Sequence, residues 1–100
     1  MGFIVEQTGY QKTILSDLQG AWGVFRQSVV DNGGFENADR VLFHTEEAMS
    51  WETVRNLRRM PPLVVLIRNL CIQSGASGEI MSNLEEVSAI LGETLAEYPN

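Results

Sequence analysis

Hydrophobic residues along this chain recur at two kinds of spacing, and each predicts a different element. From Gln11 to Val30 the apolar positions Ile14, Leu18, Trp22 (or Ala21), Phe25 and Val29 step by three and four. That spacing puts them on one stripe of an amphipathic helix. Thr8 or Thr13 is placed to cap its start, and Asp31-Asn32-Gly33-Gly34 supplies a stop and a turn. Gly20 and Gly23 lie inside the stripe and lower helix propensity by about 1 kcal/mol each; close approach of a neighbouring backbone would account for them. A second clear stripe, Ile80, Leu84, Val87, Leu91 and Leu95, predicts a closing helix over 79–98 with Pro99 as its stop.

Between the two stripes the apolar residues run together. Arg40-Val41-Leu42-Phe43-His44 reads as a short buried strand, and Leu63 to Ile67, continuing toward Ile72, as a strand buried on both faces. Phe3–Gln7 is a further edge-strand candidate. Ser50 is a good N-cap for a short helix that carries Glu52 in its first turn and ends near Met60, ahead of Pro61 and Pro62. The expected fold class is therefore α+β, with three helices on a two- or three-stranded sheet. The alternative is an all-α bundle in which both apolar runs are helical.

At 100 residues the chain allows one domain, spanning 1–100. Hydrophobic residues make up 44% and charged residues 20%, the balance of a globular protein. Cys71 is the only cysteine, so no intramolecular disulfide is available, which fits a reducing compartment. The N-terminus lacks the pattern of a signal peptide, and Glu6 replaces the Ser or Thr of a myristoylation motif. With no apolar run near membrane-spanning length, the expectation is an intracellular protein, cytoplasmic or virion-associated, that does not enter a membrane.

Charge changes this picture more than composition does. The net charge is -6 and its distribution is uneven. Residues 1–39 carry two bases against five acids, residues 40–68 five arginines against three acids, and residues 69–100 five acids with no base. An acidic whole disfavours general nucleic-acid binding. The candidate interaction residues are the basic Arg55, Arg58 and Arg59 and the acidic Glu85, Glu86 and Glu93. On a helix, Arg55 and Arg59 share one face. Opposite patches on one subunit permit head-to-tail self-association. The same arginines could instead present a recognition helix to DNA, but the segment before them does not read as the first helix of that motif.

Catalytic chemistry has little to draw on. His44 and Cys71 are single residues of their kinds and have no spacing that pairs them. No metal-ligand spacing recurs. Gly75-Ala76-Ser77-Gly78 precedes a helix but lacks the lysine and the spacing of a phosphate-binding loop. No catalytic, cofactor-binding or metal residues are expected, and no cofactor.

One family resemblance bears on residues 50–95. The series Leu57-Arg58-Arg59-Met60-Pro61-Pro62-Leu63-Val64-Val65, then Arg68-Asn69-Leu70, a glycine loop, and Glu85-Glu86-Val87 before Leu91 and Thr94-Leu95 resembles tail terminators of Mu-type contractile phages. The chain departs from the family in length, having less sheet between the buried strand and the Arg-Asn step. The resemblance implies a ring-forming structural subunit that caps a tail tube without catalysis. The expected function is thus a non-enzymatic, self-associating assembly subunit, binding itself and other proteins of an assembly. The alternative is a small regulatory protein that binds a protein or nucleic acid through the arginine helix.

Overall fold

The computed structural model describes the backbone of residues 2–53 and 56–97 and the side chains of residues 15–52 and 56–97. Four helices follow one another: α1 (Gly2–Asp31), α2 (Ala38–Thr53), α3 (Met60–Ser74) and α4 (Gly78–Glu97), with a single 3₁₀ turn at Leu57–Arg59 ahead of α3. Among the described residues there is no strand. The α+β expectation is therefore wrong, and the all-helical alternative describes the fold.

Three segments account for the correction. Phe3–Gln7 is part of α1, and Thr8 and Thr13 are interior positions of that helix rather than caps. Arg40–His44 lies in α2, where Val41, Thr45, Ala48 and Glu52 are buried at helical spacing while Phe43 is 67% exposed. A strand buried on both faces would have hidden Phe43. Ser50 and Glu52 consequently fall in the last turns of a helix instead of starting one. Leu63–Ile72 lies in α3, with Met60, Val64, Ile67 and Cys71 buried and Val65 and Ile72 exposed. Pro61 and Pro62 open this helix; at the first helical positions a missing N–H costs nothing, so prolines read as a stop serve as a start.

The two clear stripes do lie on helices, although α1 begins at Gly2, ahead of the expected Gln11. Leu18, Trp22, Phe25 and Val29 of α1 and Ile80, Leu84, Val87 and Leu91 of α4 are buried in one core with Val41, Met60 and Ile67. Trp22 and Phe25 meet edge to face at 6.1 Å between ring centres. Gly20 and Gly23 do not mark a close backbone approach, because a Cβ at either would meet nothing within 4 Å. Gly75 does have a conformational reason: at φ 68° it ends α3 in the left-handed region. The Gly75 and Ala76 amides donate to the carbonyls of Ile72 and Cys71, a Schellman cap.

Helix order and loop length fix the topology. α1 packs on α2 and α4, and α3 on α2 and α4, so sequential helices are neighbours around the bundle. The α1–α2 turn and the α3–α4 loop share one end, where the Asn37 amide donates to Ser74 Oγ at 2.7 Å. This is an up-down-up-down arrangement joined by short connections. Arg26 ties α1 to α2 by donating through Nε and Nη2 to Glu46 Oε2 at 3.1 and 2.9 Å.

Candidate functional site

Two of the basic residues, Arg58 and Arg59, lie at the corner between α2 and α3. The chain leaves α2 with the Asn56 amide donating to the Trp51 carbonyl at 2.9 Å, then makes the 3₁₀ turn. Leu57 is buried and anchors that turn, which leaves Arg58 and Arg59 exposed beside each other. The Arg59 guanidinium lies over the half-buried Trp51 ring, 5.3 Å from its centre. Stacking of this kind holds a planar cation in place while its edge remains available to a carboxylate. The expectation of an arginine helix is corrected here: Arg58 and Arg59 belong to a turn, and Arg55 lies outside the described residues.

The acidic candidates sit on α4 and are all exposed. They do not form one patch. Glu85 and Glu86 point about 100° apart around the helix. Glu86 and Glu93, seven residues apart, share the outward face. Glu85 lies on the flank that also carries Ser88 and Gly92, next to α3.

That flank borders a groove between α3 and α4 of about 230 Å³. Pro61, Val65 and Arg68 form one wall and Ser88, Gly92 and Leu95 the other. The groove exists because the α4 wall is built from small residues; a Cβ on Gly92 would meet nothing within 4 Å. On α3, Pro61, Val65, Arg68 and Ile72 recur at steps of four and three and follow the same flank. Val65 and Ile72 are more than half exposed, and Arg68 is half-buried. Arg68 forms no ion pair or hydrogen bond with the described residues. Sequence reasoning passed over Arg68, which looks like an ordinary charge at the end of a strand until the segment is wound as a helix.

His44 and Cys71 occupy unrelated surroundings. His44 Nδ1 is 3.1 Å from Glu47 Oε1 on its own helix, and its ring meets Phe43 edge to face. Cys71 is fully buried, and burial pushes its thiol above the ordinary value, which keeps it protonated and unreactive. Among the described residues no three His, Cys, Asp or Glu side chains gather as metal ligands. The loop before α4 is committed to capping: Ser77 Oγ accepts from the Ile80 amide at 3.3 Å. Among the described residues no helix is long and apolar enough to cross a membrane.

No protein-family model matches the chain, and no curated protein or solved structure matches it. The resemblance to contractile-tail terminators required a buried strand at 63–72, and α3 occupies that segment.

Proposed function

We propose that this chain is a small non-enzymatic regulatory protein that binds an acidic protein surface at the α2–α3 corner. The observation that carries the reading is the exposed Arg58–Arg59 pair, with Arg59 held over Trp51 at 5.3 Å. An arginine with part of its freedom already removed loses less entropy when it engages a carboxylate. A protein partner is favoured over nucleic acid by the number of bases on offer. α3 follows the corner as a recognition helix would, yet its sole base is Arg68, too few for a run of phosphates, whereas two arginines are answered by two carboxylates.

The test places a photo-crosslinking residue at position 58 in cells that express the protein, with position 86 as the control. Protein adducts are expected at 58, lost when Arg59→Glu is added and absent at 86. Nucleic-acid adducts at 58, or equal protein adducts at both positions, would refute the reading.

A further inference from the structure

The flank shared by α3 and α4 carries four features that the basic corner does not use. It has an apolar stripe, exposed at Val65 and Ile72. It has a groove walled on one side by Ser88 and Gly92. Its guanidinium, Arg68, is half-buried among apolar side chains with no partner among the described residues. Its carboxylate, Glu85, is exposed, also without a partner among the described residues. Removing an arginine from water without a carboxylate is unfavourable, so a surface of this composition is complete only when something supplies one.

We infer that the α3–α4 flank is a homodimer interface, in which a second copy of this chain docks about a two-fold axis and Arg68 of each copy pairs with Glu85 of the other. Charge complementarity selects this occupant. An acidic amphipathic helix from another protein would answer Arg68 but would leave Glu85 facing a carboxylate-bearing partner. A two-fold interface uses one patch twice, so a surface that holds both a lone cation and a lone anion is complementary to itself.

The small side chains fit the same arrangement. Ser88 and Gly92 let a helix from the second copy approach closely, and Val65 and Ile72 supply the area removed from water. α4 is about 30 Å long and neighbouring helices lie roughly 8–10 Å apart, so the flank offers roughly 300 Å² per copy. Twice that is about 600 Å², below the size of a standard specific interface, which predicts a weak, transient dimer. This interface is separate from the basic corner and does not depend on it.

Sedimentation equilibrium of the full chain, from about 1 to 500 µM, tests the inference. The wild type is expected to dimerise. Arg68→Glu or Glu85→Arg alone puts like charges opposite each other twice and is expected to raise Kd about tenfold or more. Mixing the two single variants is expected to restore association as a heterodimer, because each then meets its opposite. The double variant is expected to self-associate again. Gly92 is exposed and a Cβ there would meet nothing within 4 Å, so Gly92→Gln is expected to keep full helicity by circular dichroism while weakening the dimer. A wild type that remains monomeric throughout this range, single reversals that associate as the wild type does, or a mixture with no heterodimer would overturn it. Loss of the position-58 adducts would leave these results untouched, so the two proposals fail separately.

Discussion

Individual side chains show how burial follows helical spacing even where the residues look alike. In α3, Leu66 is 38% exposed and its neighbour Ile67 is fully buried, although both belong to one apolar run. In α4, Leu84 is fully buried within the core. Emptying such a site costs about 2–5 kcal/mol, the lost transfer energy plus the cavity left behind. Leu84→Ala is therefore expected to lower unfolding free energy by that amount in a urea titration, and Leu66→Ala by less than about 0.5 kcal/mol. Equal costs at the two positions would mean that α3 faces the core differently. Buried hydroxyls keep to the same economy of partners: Thr45 donates to the Val41 carbonyl and Thr94 to the Ile90 carbonyl, both at 2.7 Å, so neither buries an unsatisfied group.

At the scale of elements, α1 is the longest helix at 30 residues, and at two of its glycines, Gly20 and Gly23, an added Cβ would meet nothing within 4 Å. Without a close approach to explain them, Gly20 and Gly23 are simply weak helix positions. Gly20 is exposed, so Gly20→Ala is expected to raise stability by about 1 kcal/mol, read as a higher urea midpoint at unchanged slope. A loss of stability would reveal a neighbour at that site. Gly75 behaves oppositely, because a side chain at φ 68° is strained by about 1 kcal/mol or more whatever the space around it. The two positions cannot be told apart by residue type; the backbone around each decides the sign.

For the whole molecule, one core joins all four helices, although α1 packs most extensively on α4 and α2 on α3. A shared core predicts a single cooperative transition. Tryptophan fluorescence, which reports Trp22 on α1 and Trp51 on α2, and circular dichroism, which reports all helices, are expected to give the same urea midpoint. Separate midpoints would mean that the two helix pairs unfold independently. The seam where α3 meets α4 is the thinnest of the four, and it is there that the groove opens and Arg68 lies without a partner among the described residues. The dimer proposed for this seam draws on that geometry, since the same small side chains that thin the contact leave room for another chain.

The amphipathic stripes of α1 and α4 were legible in the sequence because their apolar residues are separated by polar ones, which leaves a single period to read. The turn at Gly33-Gly34 and the loop around Gly75 were legible because glycines clustered with small polar residues punctuate a chain, and at Gly75 the backbone does take the left-handed region, φ 68°. The runs at 40–44 and 63–72 carried no such information. A short, continuous apolar segment is compatible with a strand or with a buried helix, and β-branched residues incline the reading toward a strand. What decided them was packing. Once α1 and α4 lie side by side, their apolar faces need covering along their length, and two further helices cover them, with Val41, Val64 and Ile67 turned inward. Tertiary structure also decided where some of the charges lie. Arg58 and Glu85 were visible as residues, and helical geometry alone separates Glu85 from Glu86, but the placing of Arg68 beside a groove depends on which helices become neighbours.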